Sequence, residues 1–187
     1  MRALIVYGSK RGGTAGLADM IGTAFEAQGW DAEVRDAATR PGIGDVDVVV
    51  IGGALYMNRW PSSVRRWTRQ HVRTLSNVPV WMFSSGPLDD SARAGDIAAV
   101  PQVAKLAAEI EIHGHMTFGG RLEAHPRGFI AGQMAKKSAG DWRDRQHVAE
   151  WVHEICHDTT AVVTLPAQRT DEQAPVDSPR ESRPTKA

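Results

Sequence analysis

An internal disulfide is excluded from the outset, because the chain carries a single cysteine, Cys156. One thiol suits a reducing compartment and leaves any core to be held by packing alone. Long apolar runs are missing as well. The N-terminal run from Ala3 to Tyr7 stops at Gly8, too short for a signal-peptide core, and no other run approaches the roughly 20 residues of a membrane span. Charge of one sign is also lacking: 22 Lys and Arg face 22 Asp and Glu. No overall field therefore recruits nucleic acid or an anionic membrane, and any partner has to be recognised locally. What these absences leave is one cytoplasmic domain of 187 residues, long enough to bury a proper core.

Within that frame the stretch ALIVYGSKRGGTAGLA, residues 3–18, organises the chain. Ala3 to Tyr7 has the length and β-branched content of a buried strand, and Leu17, Ile21, Ala24 and Phe25 have helical spacing. Between them Ser9, Lys10, Arg11, Gly12, Gly13 and Thr14 supply hydroxyls, cations and two residues without a Cβ. A loop so placed aims backbone N–H groups and the positive end of a helix dipole at one point, which suits a phosphate. The triphosphate loop needs a lysine after its second glycine, where Thr14 stands, and no reading of residues 8–16 gives Gly-x-Gly-x-x-Gly. A glycine-rich turn with no ligand is the alternative at this point.

Taken in order, the first helix should end near Gly29, with a second strand over Asp31 to Arg35, nearer an edge. Turn chemistry at Arg40-Pro41-Gly42-Ile43-Gly44 leads into Val46 to Ile51, the most apolar run, closed by Gly52-Gly53. Pro61 fits the first turn of a helix reaching about Leu75, and Val80 to Phe83 reads as a fourth strand followed by Ser84-Ser85-Gly86-Pro87. A helix over Val100 to Glu111, a fifth strand from Ile112 to Phe118, an insertion over 121–140 and a last helix capped by Asp141 and reaching about His157 complete the pattern. From about Leu165 the chain is rich in Pro and charge without aromatics, and is expected to be disordered. Strands alternating with helices imply an α/β fold, a doubly wound five-stranded parallel sheet in a three-layer αβα arrangement. The order 2-1-3-4-5 puts a ligand crevice at the carboxyl ends of strands one, three and four. All three ends carry small residues, in YGSKRGGT, IGGALYMNRW and FSSGPLDD.

Together these three loops resemble those of flavodoxin-domain proteins over residues 1 to about 157, nearest the branch that includes menaquinone-dependent protoporphyrinogen oxidase. The domain is set at 1–160, with a tail over 165–187. The resemblance implies flavin mononucleotide (FMN) as cofactor. Ser9 to Thr14 would hold its phosphate, Ala54, Leu55, Tyr56 and Met57 one side of the isoalloxazine, and Ser84, Ser85, Gly86, Pro87 and Leu88 its other edge. Arg11 stands where the family has a hydroxyl residue, and could add a charge-assisted contact of roughly 1.5–3 kcal/mol. Trp60, beside Pro61, fits a helix-start packing residue better than a flavin contact. The exposed pair Asp89 and Asp90 reads as a turn. No nucleophile, triad or metal centre competes in the loops, so the flavin would carry the chemistry. Implied partners are a redox donor and an acceptor, with a quinone and a porphyrinogen among the acceptors and substrates, Arg121, Arg127, Lys136 and Lys137 then meeting the propionates. A cofactor-free interaction module and a deazaflavin carrier use the same fold.

Three further signals stand outside the loops. His153-Glu154-Ile155-Cys156-His157 satisfies H-E-x-x-H, yet it falls at the end of the last helix, far from the strand carboxyl ends, where a His-rich surface turn is favoured over zinc catalysis. His113 and His115, two apart on a strand, are expected to face one side and pack against the last helix. In the insertion, residues 128–135 form a short apolar stretch bracketed by His125, Arg127, Lys136 and Lys137. That composition suits a lip over the flavin, a contact in a homodimer, a shallow peripheral membrane contact or a plain packed loop.

Overall fold

A computed structural model of the chain describes residues 1–9, 12–89, 91–95, 97–122 and 140–164. Five strands, β1 (Arg2–Gly8), β2 (Asp31–Asp36), β3 (Val48–Ala54), β4 (Val80–Ser85) and β5 (Gly114–Phe118), form one sheet in the order β2-β1-β3-β4-β5. All four pairings are parallel. The helices are α1 (Gly13–Ala27), α2 (Ser62–Gln70), α3 (Val72–Leu75), α4 (Ser91–Ala94), α5 (Pro101–Ala108) and α6 (Arg145–Thr164). This is the doubly wound α/β sheet expected from the alternation of apolar runs.

The sheet buries both faces. On one, Leu17, Ile21 and Phe25 of α1 and Trp151, Val152 and Ile155 of α6 close over Ile5, Val50 and Phe83. On the other, Val64, Trp67, Leu75, Val103 and Leu106 close over Val6, Ile51 and Met82. Burying a side chain of this size contributes about 1.5–3 kcal/mol, so each layer is held chiefly by such residues. α1 stops where expected, with Gly29 at φ 79°, a conformation that L side chains rarely adopt.

Several boundaries differ from the sequence reading, each for a local reason. The third strand begins at Val48, because Val46 lies before the ladder with β1, whose first partner is Val48. Ser84 and Ser85 belong to β4, since Gly53 and Ala54 extend the pairing to them. The helix after Pro61 breaks at His71, where the backbone N–H is shared between the Trp67 and Thr68 carbonyls and the ring nitrogen Nδ1 lies 2.8 Å from the Trp67 oxygen. Asp144, not Asp141, caps α6: its Oδ1 accepts the Gln146 N–H at 2.9 Å and the His147 N–H at 3.4 Å. Asp141 is instead engaged by Arg143. α6 also runs past His157 to Thr164.

The two ends of the insertion pair as a short antiparallel ribbon, β6 (Arg121–Leu122) with β7 (Gly140–Asp141). The stretch 123–139 and the tail from residue 165 lie outside the described residues. No helix among the described residues is long and apolar enough to cross a membrane.

Candidate functional site

The register places the three loops at one level of the sheet. Gly8 pairs with Gly53, Gly53 with Ser84 and Ala54 with Ser85. At about 4.8 Å between strands, Gly8 and Ser84 are roughly 10 Å apart, within the span of one three-ring ligand. Glycine is needed here for close approach. A Cβ on Gly8 would overlap the Val64 Cγ2, and one on Gly53 would come within 3.1 Å of both the Pro61 ring and the Trp60 indole. The start of α2 is thereby drawn onto the rim.

Of the first loop, Ser9 is half-buried, and Lys10 and Arg11 lie outside the described residues. Gly12 takes φ 79° and faces open space, with nothing within 4 Å of where a Cβ would stand. The first helical bond of α1 is the Gly16 N–H to the Gly12 carbonyl, so the N–H groups of Gly13, Thr14 and Ala15 have no acceptor within the helix. Among the described residues no side chain caps this end, and its first turn holds no acid. The result is the positive end of a helix dipole at the rim.

Beside it the β6–β7 ribbon lies across α1. The Arg121 carbonyl oxygen comes within 3.0 Å of a Cβ position on Gly13, and the Arg143 guanidinium fills the space a Cβ on Gly16 would take. The Arg143 side chain is 12% exposed and grips Asp141 through two bonds, Nε to Oδ1 at 2.7 Å and Nη2 to Oδ2. The arginine holds the Asp141 carboxyl below its ordinary value, and Asp141 raises the guanidinium in turn. The two-glycine spacing at 13 and 16 was the signal for this contact, and sequence reasoning did not use it.

The second loop forms a tight tip. The Tyr56 N–H donates to the Arg59 carbonyl at 3.0 Å and the Arg59 N–H returns to Tyr56 at 3.1 Å, with Met57 and Asn58 between them at φ 51° and 58°. A left-handed conformation in a residue bearing a Cβ costs about 1–2 kcal/mol, a cost that Met57 bears while 87% exposed. Tyr56 is 36% exposed. Ala54 and Leu55 are half-buried, and the Leu55 N–H donates to the Ser85 carbonyl at 2.8 Å, tying the second loop to the third.

In the third loop Gly86 donates to the Phe118 carbonyl at 2.9 Å and the Pro87 carbonyl accepts from Gly120 at 2.8 Å. Ser85, Gly86, Pro87 and Leu88 therefore stand at the rim with part of their backbone already committed to the end of β5. Ser84 is at rim level too, but its hydroxyl turns into the core. It accepts the Trp60 indole N–H at 3.0 Å and lies 3.0 Å from His115 Nε2. The indole can only donate, so the Ser84 oxygen is its acceptor, and burial holds the imidazole below its ordinary pKa. The Trp60 backbone N–H donates to the Gln102 Oε1 at 3.0 Å. Trp60 is 2% exposed and packs beneath the rim. The Asp89 carboxylate accepts from Ser91 N–H and hydroxyl, which lowers its pKa; Asp90 lies outside the described residues.

The histidine pair expected on one side is split. β5 begins only at Gly114, so His113 lies before the strand and stacks on Trp81, ring centroids 6.2 Å apart, while His115 turns to the opposite face and Ser84. His153 and His157 sit at the other end of the molecule from the loops: Thr160, one turn on, reaches Met1 Sδ at 3.6 Å, beside the start of β1. Among the described residues no three His, Cys, Asp or Glu gather as for a metal ion. A cleft of about 430 Å³ next to the rim, on the α6 side of the ribbon, is lined by Arg93, Arg143 and Arg145, of which Arg93 pairs with Asp144 and Arg143 with Asp141.

Residues 4–139 match the flavodoxin domain family. No curated protein matches the sequence. Among solved structures, the chain is similar to rubredoxin oxygen:oxidoreductase from Desulfovibrio gigas, at 11% identity and a TM-score of 0.61, over 88% of this chain and 37% of that one. The chain thus spans well under half the length of that protein. It is similar over 86% of its length to 99% of a cysteine-to-serine mutant of flavodoxin from Pseudomonas aeruginosa, at 14% identity and a TM-score of 0.55. Oxidised flavodoxin 1 from Bacillus cereus gives 12% identity and 0.55, over 84% of this chain and 98% of that one. The structural likenesses establish the fold, and the family match names the domain without reaching a branch within it. With strand order, rim glycines and a sequence match over most of its length in agreement, the chain belongs to the flavodoxin domain family.

Proposed function

We propose that the rim binds FMN and that the protein passes electrons between a reduced donor and a small-molecule, quinone or protein acceptor. The observation that carries this reading is the amino end of α1: three N–H groups without helical acceptors, no acid in the first turn, and open space at Gly12. Those features fit a phosphate monoester. The exposed Tyr56 and Met57, on a tip tied through Leu55 to Ser85, fit the face of a planar ring system.

When bound, the isoalloxazine supplies the redox chemistry. The chain's own residues bind and orient. Gly13, Thr14 and Ala15 hold the phosphate by N–H donation, Gly12 leaves room for it, and the tip of residues 56–59 walls the ring. The Trp60–Ser84–His115 chain fixes the end of β4 beneath that wall.

A titration of the purified protein with FMN, followed by flavin fluorescence, tests the proposal together with mass spectrometry of whatever heat releases from the native protein. A dissociation constant in the micromolar range or tighter supports it; no binding at about 100 μM overturns it. Oxidation of protoporphyrinogen with a quinone acceptor is a narrower form of the same proposal, and activity that persists when quinone is withheld counts against it.

A further inference from the structure

From Val48 to Leu88 the chain contains five arginines and no Asp or Glu. Because the whole chain is neutral, this run is a local island of one sign in a surface that is otherwise net acidic. The fold concentrates it. Arg59 lies on the tip of the second rim loop, and Arg66, Arg69 and Arg73 follow three and four residues apart, all exposed. The opposite side of the same helices is buried, with Val64 0%, Trp67 1% and Leu75 1% exposed. Arg65 is set apart from the stripe, its Nε donating to the Trp60 carbonyl at 3.3 Å.

Nearby acids do not cancel the stripe. Glu109, at the end of α5 away from the rim, pairs with Arg69 at 3.2 Å. Asp36, at the end of β2, accepts the Ala38 N–H at 2.8 Å and pairs with none of these arginines. Among the described residues Arg59, Arg66 and Arg73 make no salt bridge.

We propose that Arg59, Arg66 and Arg73 form the docking surface for an acidic electron-carrier protein, with exposed Met57 as its apolar contact at the rim. The inference rests on the redox reading of the rim, whose second loop carries Arg59. Interfaces between redox partners are small and transient, and charge complementarity gives them their encounter rate and orientation. Guanidinium groups match carboxylates two bonds at a time, which suits a partner with clustered acids. A membrane is a poorer match, because the apolar face of α2 is buried and has nothing to insert.

The test uses the full chain, FMN-loaded and FMN-free, and the variant R66E/R73E. The probes are a plant-type [2Fe–2S] ferredoxin as acidic carrier, cytochrome c as basic control, vesicles containing phosphatidylserine, and a duplex DNA. Ferredoxin is expected to bind at about 20 mM salt and to weaken on the order of tenfold at about 200 mM, as the Debye length falls from about 20 Å to about 7 Å. The variant is expected to lose a similar factor while its circular dichroism and FMN affinity stay unchanged. Equal ferredoxin binding by the variant, no ferredoxin binding at low salt, or tighter binding to vesicles or DNA than to ferredoxin overturns the proposal. Ferredoxin binding without FMN binding leaves the docking surface standing and removes the flavin reading; FMN binding without ferredoxin binding does the reverse.

Discussion

Trp60 and Ser84 meet beneath the rim, the indole N–H donating to the hydroxyl across 3.0 Å in a site where Ser84 is 0% exposed. One residue starts the segment leading into α2 and the other stands one residue before the end of β4, so the bond fixes the second loop against the third. Replacing Ser84 by Ala orphans a buried donor on one side and the His115 nitrogen on the other. The S84A variant is expected to lose about 1–3 kcal/mol of stability, read as a lower urea midpoint at unchanged slope.

The same chain ends at His115, whose folded pKa lies below the 6.5 of the free side chain because burial disfavours its charge. The unfolded chain then binds more protons than the folded one as pH drops below about 6.5, so stability falls in that direction. The carboxyls of Asp141 and Asp89 are held below 3.8, and their contribution is lost only at lower pH. Urea unfolding at pH 7.5 and pH 5 should show a decline in the wild type and a shallower one in H115Q. An equal decline in both would remove His115 from the account.

At the amino end of α1 the two expected effects of one change have opposite signs. A carboxylate in the first turn of a bare helix end stabilises by about 0.3–1 kcal/mol, yet it competes with a phosphate for the same N–H groups. A15D is therefore expected to raise the melting temperature of the FMN-free protein and to weaken FMN binding on the order of tenfold or more. A variant that gains stability with unchanged affinity places the phosphate elsewhere.

Cys156 is 6% exposed, and burial pushes its thiol up to about 11. Iodoacetamide at pH 8 is expected to label it far more slowly in the native protein than in urea, as followed by mass spectrometry, since only the thiolate reacts.

The sheet was legible because its three central strands are apolar runs with small residues at their carboxyl ends, features that need no tertiary knowledge. The same residues located the rim, and the family match agrees with the strand order they implied. What escaped was set by contacts between distant segments. Ser84 reads as a loop residue until Gly53 pairs with it, and Asp141 as a cap until Arg143 claims its carboxylate. The split of His113 from His115 depends on where the β4 ladder begins, which periodicity cannot supply. The arginine stripe was visible in the residue order and was hidden only by summing charge over the whole chain.

The β6–β7 ribbon brings the two ends of residues 123–139 side by side, with Arg121 opposite Asp141 and Leu122 opposite Gly140. A doorway of fixed width set against the first helix separates the length of whatever chain passes through it from the geometry of the sheet, since lengthening a closed loop adds only about 0.6 kcal/mol per doubling. A change in the length of that segment is therefore expected to leave the strands behind it in place.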